Sequence, residues 1–157
     1  MSASWDMSWL KQHQTRMAAM RAVDVPVPDP NVVEFTLSAP TKTLNQILRM
    51  HWRDRQHYQQ QLSGEIGRLT MAQPVRIPFE KCRVTITRYS LKVPDADNLW
   101  ASAKPLVDCL LVHSATHPQG LGFCRDDSPD HMQMIVKSAL VKRSAEQRTH
   151  VLIERIA

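Results

Sequence analysis

Apolar and polar positions alternate along the chain in short blocks, and each block carries the period of one kind of element. Residues 3 to 22 set Trp5, Trp9, Leu10, Met17 and Met20 at about helical spacing, and "VDVPVPDP" then interrupts any helix with three prolines. This pattern predicts a helical arm and a proline-rich linker over residues 1–30, ahead of a body over residues 31–157. "VVEFTLSAP" alternates as a strand that Pro40 ends. From about Asn45 to Leu69, the residues Leu48, Trp52, Leu62, Ile66 and Leu69 recur at three- and four-residue intervals, which predicts one long helix. "CRVTITRYSLK" is rich in β-branched residues and predicts a second strand. Asn98 to about Val112 reads as a second helix, "SATHPQGLGFCRDDSPD" as a long loop, and "MQMIVKSALVK" and "THVLIERI" as two closing strands. The expected body is a single α+β domain in the order β-α-β-α-β-β, a mixed sheet flanked by two helices.

Composition narrows the function classes. A length of 157 residues suits one domain, and 43% hydrophobic with 22% charged residues is ordinary for a globular chain. No apolar run approaches the roughly 18 residues that span a bilayer, so no membrane partner is expected. The first residues lack the charged-then-apolar layout of a signal peptide, which predicts a cytoplasmic setting. Cys82, Cys109 and Cys124 are odd in number and show no C-x-x-C spacing; reduced, mostly buried thiols are expected rather than disulfides or a zinc site. His113 and His117 sit four apart without a third ligand, and Pro118 works against a helix there, so they predict no zinc site either. The four glycines match neither a phosphate loop nor a dinucleotide fingerprint, and no nucleotide cofactor is expected.

Charge then points to a partner. A formal net charge of +5 suits a polyanion. "RMHWRDRQHY" places Arg49, Arg53 and Arg55 beside aromatic residues on the predicted long helix. That basic face suits phosphates, and equally a solvated, salt-bridged surface. Against this background "VPDADNLW" concentrates negative charge at Asp95 and Asp97. In extended chain, residues i and i+2 project to one face, so the two carboxylates would repel unless a divalent cation compensated them. The competing reading is helix capping by Asp97 or Asn98, with Asp95 a loop residue. "CRDDSPD" adds Asp126 and Asp127 in a loop expected to lie near the first pair. Converging carboxylates on a basic protein predict metal-assisted phosphodiester hydrolysis.

Four stretches together resemble the RusA-type Holliday junction resolvases of bacteria, prophages and phages. They are "SAPTKTLN" with Pro40 and Asn45, "DADN", "AKPLVDCL" and "RDDSPDHM". The resemblance implies a Mg²⁺ site, with Mn²⁺ an alternative, formed by Asp95, Asp97 and Asp127, and a catalytic role for Lys104. It implies that Asp126 and Asn98 support the ligands or face DNA, and that Asn45, Arg49, Arg53 and Arg55 contact it. The implied partner is branched DNA, cut by paired symmetric nicks of a four-way junction, which suits a twofold homodimer. The chain departs from the family in two places. The loop from His113 to Arg125 is longer than is common. Lys104 follows Asp97 by seven residues instead of one turn, as though about three residues were inserted. Helical offsets of four and seven lie about 60° apart and about 4.5 Å along the axis, within a lysine's reach, but Pro105 predicts a kink or a fresh start at Lys104. Two other readings stand beside this one. A catalytically silent DNA-binding module of the same fold would keep the basic face without cutting. A nuclease of the P-D…(D/E)-x-K type would need an acidic residue two before its lysine, where "ASAK" offers Ser102, and is disfavoured.

Overall fold

The computed structural model describes residues 28–73 and 77–157. The expected N-terminal arm and most of the linker lie outside the described residues. Four strands alternate buried and more exposed side chains: β1 (Val32–Leu37), β2 (Cys82–Ser90), β3 (Met132–Leu140) and β4 (Arg148–Arg155). They form one sheet in the order β1-β4-β2-β3, with β4 antiparallel to both neighbours and β2 parallel to β3. The two C-terminal strands are therefore not neighbours: β4 inserts between β1 and β2, and β3 lies at the edge.

The inward positions of the sheet, among them Val33, Phe35, Val84, Ile86, Val151 and Ile153, join Leu62, Ile66, Ala103, Leu106, Val107 and Leu110 from the helices in one core cluster. Apolar burial of this kind is what holds a small two-layer domain together. The result is a single α+β unit with a four-stranded mixed sheet, and among the described residues no helix is long and apolar enough to cross a membrane.

Three α-helices stand where two were expected. The predicted helix over 45–69 is divided into α1 (Leu44–Arg49) and α2 (Trp52–Leu69). Met50 and His51 are extended, and the His51 ring accepts a 3.3 Å hydrogen bond from the Arg53 N–H, so His51 caps a new helix instead of continuing the old one. The expected apolar stripe is correspondingly reduced. Leu62 and Ile66 are buried, whereas Leu48, Trp52 and Leu69 are 64%, 53% and 45% exposed. The next helix, α3 (Ala96–Leu110), starts two residues earlier than expected, and it runs through Pro105 without the predicted break. All three cysteines are unbonded and buried, with Cys82 Sγ 3.2 Å from Cys124 Sγ.

The long loop after α3 is fastened to the helix end. Residues 121 to 124 donate backbone hydrogen bonds to the carbonyls of Cys109, Leu110 and Leu111 at 2.9 Å. Gly122 turns the chain at φ +79°, a conformation that suits glycine. At Gly120 a side chain has no room, because a Cβ would come within 2.5 Å of the Leu111 carbonyl oxygen.

This contrast gives a paired test by urea denaturation. Gly120→Ala should destabilise the protein by about 1–3 kcal/mol through overpacking against backbone. Gly64→Ala, at an exposed position inside α2 with nothing within 4 Å of its Cβ, should stabilise it by about 0.5–1 kcal/mol.

Candidate active site

The helix α3 carries most of the candidate residues. Its first turn is organised by Asp95, which is extended (φ −62°, ψ 166°) and serves as the N-cap. One carboxylate oxygen accepts from the Asn98 N–H and the other from Asn98 Nδ2, both at 2.9 Å. The hydrogen bond from the Asn98 backbone, followed by that from its side chain, holds the Asp95 carboxyl below the ordinary aspartate range. Asn98 Oδ1 in turn accepts from the Asn45 N–H at 3.4 Å, a long contact that brings the start of α1 to the start of α3. The sequence-predicted neighbours Asn45, Asp95 and Asn98 are thus together.

Asp97 behaves differently. It lies exposed inside the first turn, and among the described residues its carboxylate has no hydrogen-bond or ion-pair partner. Capping therefore falls to Asp95, not to Asp97 or Asn98. The extended geometry that would aim both carboxylates the same way ends at Asp95, and residues two apart in a helix do not face each other.

Two turns further on, Lys104 Nζ lies 2.8 Å from Asp108 Oδ1 and 2.7 Å from Asp127 Oδ2. Burial by itself would lower the lysine's pKa, but the two carboxylates outweigh it and hold the ammonium above its ordinary value. Asp108 also accepts from Gln59 Nε2 at 3.3 Å, and His117 Nδ1 stands 3.6 Å from its Oδ1. Oδ1 is buried without a well-angled hydrogen bond, so charge contact is what compensates it. Asp126 faces its own loop: its Oδ1 accepts from the Asp127 N–H at 2.9 Å, and hydrogen bonds from Ser128 and then Asp127 lower its carboxyl.

The candidate residues thus separate into two groups along one helix. Asn45, Asp95 and Asn98 gather at its start; Lys104, Asp108, His117 and Asp127 gather near its end. The loop bearing Asp126 and Asp127 meets α3 at Lys104 rather than at the D-x-D pair. Nine residues of helix between Asp95 and Lys104 correspond to about 13 Å of rise. Among the described residues no three His, Cys, Asp or Glu side chains are grouped as a metal site. The donor chemistry suits a hard divalent cation, since Asp95, Asp97 and Asp127 offer only carboxylate oxygens. Asp97 is the one of these three carboxylates with no partner among the described residues.

The basic residues are exposed on α1 and α2. Arg49 is in the last turn of α1, and Arg53 lies over the Trp52 ring, 5.2 Å from its centroid, with Arg55 nearby in sequence. Asp108, His117 and the buried Arg88 were not singled out as site residues from sequence. The spacing of four from Lys104 is a signal that points to Asp108. Nothing in the sequence pairs His117 with Asp108 across the loop. No protein-family model matches the chain, and no curated protein is significantly similar to it.

The capping geometry yields a pH-dependent stability test. Asp95→Ala should lower the melting temperature by a few degrees at neutral pH, and Asp97→Ala by much less. Because the Asp95 carboxyl is lowered in the folded state, its contribution is present above about pH 4 and is lost as pH falls through the lowered value. The gap between Asp95→Ala and the parent should therefore close in acid. A gap that persists unchanged at pH 2, or equal effects at both aspartates, would contradict the assignment of the cap.

Proposed function

We propose that the chain is a metal-dependent endonuclease acting on branched DNA, with the four-way junction as substrate and a RusA-type resemblance as its basis. The observation that carries the reading is the 2.7 Å contact between Lys104 and Asp127. It joins two of the matching stretches, "AKPLVDCL" and "RDDSPDHM", on the helix that "DADN" opens, and Asn45 of "SAPTKTLN" reaches the same helix through Asn98. Residues scattered over more than eighty positions of sequence therefore line a single element.

In this reading Asp95, Asp97 and Asp127 would hold Mg²⁺, or Mn²⁺, which supplies activation of water and neutralisation of phosphoryl charge. Lys104, a cation held in place by Asp108 and Asp127, is positioned to meet charge that develops on the phosphate. The exposed Arg49, Arg53 and Arg55 contact backbone phosphates, and Asn98 with Asn45 fixes the D-x-D segment. A homodimer places two such sites about a twofold axis, as paired nicking requires.

A second reading, DNA binding without cleavage, is favoured by one observation. Asp127 is engaged by Lys104 and Asp95 by Asn98, so two of the three metal-binding carboxylates already have protein partners.

Incubation with a synthetic four-way junction and with linear duplex, each with and without Mg²⁺, separates these readings. The nuclease reading expects junction nicking that depends on Mg²⁺. Asp97→Asn should then slow nicking by about 100-fold or more, since a hard cation loses an anionic ligand, while junction binding stays equal or tightens as repulsion is removed. Junction binding with no nicking under any divalent cation would instead support the binding module, and near-parental nicking by Asp97→Asn would exclude Asp97 as a ligand.

A further inference from the structure

The inward alternation of β2 does not stop with its apolar residues. Cys82, Val84 and Ile86 face the core, and the same register puts Arg88 and Ser90 on that face, 7% and 3% exposed. An arginine so buried is costly unless its charge is matched. Arg88 Nε donates to the Thr41 carbonyl at 2.9 Å, and Nη1 donates to Ser90 Oγ. Ser90 passes its own proton to the Lys92 carbonyl at 2.7 Å, so it serves the guanidinium purely as an acceptor. Both partners are neutral. Among the described residues no carboxylate pairs with Arg88, and three of its five N–H donors have no partner there.

That guanidinium forms part of the wall of a cleft of about 550 Å³ between α1, the end of β2 and the start of α3. Asn45, Ser90, Lys92, Asp95 and Asn98 line it as well. The single carboxylate of the wall, Asp95, has an oxygen committed to each of the two Asn98 donors. The cleft therefore holds two cations against one engaged anion, together with amide groups able to donate. Hydrogen bonding to Thr41 explains why a donor stands at this position, but a neutral donor would do that. The uncompensated charge calls for an anion, and a planar fork of N–H groups matches the paired oxygens of phosphate. Burial also pushes the Arg88 guanidinium below its ordinary range, as expected for a cation without a counter-charge.

We propose that this cleft is a phosphate subsite in which Arg88 and Lys92 take a backbone phosphate of bound nucleic acid beside the Asp95 end of α3. The assignment of nucleic acid as the ligand rests on the nuclease reading, whereas the preference for a phosphoryl anion rests on the cleft itself.

Metal-free full-length protein, kept in chelator, tests this by fluorescence anisotropy with a four-way junction across a salt series. Gln147→Glu sets a carboxylate in the cleft wall without altering the strand, and Arg88→Met removes the buried cation. Both variants should bind about 10-fold more weakly at 50 mM salt, and the slope of log affinity against log salt should fall by about one unit. Gln133→Glu, at the other end of the sheet, adds the same charge and should change affinity less than about twofold. If Gln147→Glu matches Gln133→Glu, with affinity and salt slope near parental, the subsite does not exist, whether or not Arg88→Met folds. Titration with inorganic phosphate by calorimetry distinguishes the ligand: phosphate binding that Gln147→Glu abolishes, with junction affinity unchanged, would overturn nucleic acid as the occupant. Nicking with Mg²⁺ is read separately. A protein that never cleaves but shows the predicted affinity and slope changes keeps the subsite and loses the nuclease reading alone.

Discussion

The arrangement at the candidate site depends on a polar network buried where apolar packing would be the simpler solution. After β1 the chain must cross the end of the sheet, and Thr41 fixes that crossing. Its N–H donates to Thr149 Oγ1 at 3.0 Å, its hydroxyl to Ser102 Oγ at 3.2 Å, and its carbonyl accepts from Arg88. Thr149 continues to the Ala39 carbonyl at 3.1 Å, and Ser102 to the Leu99 carbonyl at 2.6 Å. β2, β4 and α3 are thereby tied to one loop residue. Buried polar groups are costly when unmatched, so a network of this kind has one acceptable geometry, and that geometry sets where α1 begins. Thr43, two residues on, caps α1 in a reciprocal arrangement with Gln46. Asn45 then meets Asn98.

α3 inherits its position from both ends. Its N-terminus is held through the Asp95 cap and Asn45, and its C-terminus by the loop whose residues 121 to 124 bond the carbonyls of Cys109 to Leu111. Between these anchors Ala103, Leu106, Val107 and Leu110 fill the core. Only the opposite side of the helix is left for charge, and Lys104 and Asp108 fall there four residues apart. Pro105 sits between them without ending the helix, because the surrounding packing outweighs the local cost of one lost backbone hydrogen bond.

Much of this was legible in the sequence where a period ran long enough. The alternation in "CRVTITRYS" marked β2, and the helical pattern after Asn98 marked α3 to within two residues. The break at Met50 and His51 was not legible, because histidine is a weak cap and the apolar spacing on either side runs straight through it. Exposure of Trp52 and Leu69 shows that this spacing was partly coincidental. The sheet order could not be read either, since pairing of β4 with both β1 and β2 depends on contacts far apart in the chain. In the candidate site, local signals served well at Asp95 and Asn98, which share one turn, and at Lys104. They failed for Asp127, whose destination depends on how a loop of some fifteen residues folds back on α3. Arg88 was hidden in plain alternation: every second residue of β2 was rightly placed inward, but an arginine does not announce itself as part of a buried face.

Charge on this face is settled locally almost everywhere. Lys104 is matched by Asp108 and Asp127, Asp95 is held by Asn98, and His150 stands 2.8 Å from Glu34 on the far side of the sheet. Two groups near the start of α3 remain unmatched among the described residues, and they have opposite sign: the Asp97 carboxylate and the Arg88 guanidinium. They flank the Asp95–Asn98 cap, Arg88 within the wall of the cleft and Asp97 one turn position outside it. Had electrostatic stability alone shaped the region, these two could have been paired or replaced at little structural cost, since Asp97 is exposed and takes no part in the cap. Kept apart, each can act on a ligand of the opposite sign. A divalent cation and a phosphate are ligands that also attract each other, so a phosphodiester accompanied by a metal ion would satisfy both groups at once, whereas either ligand alone would leave one of them unmatched.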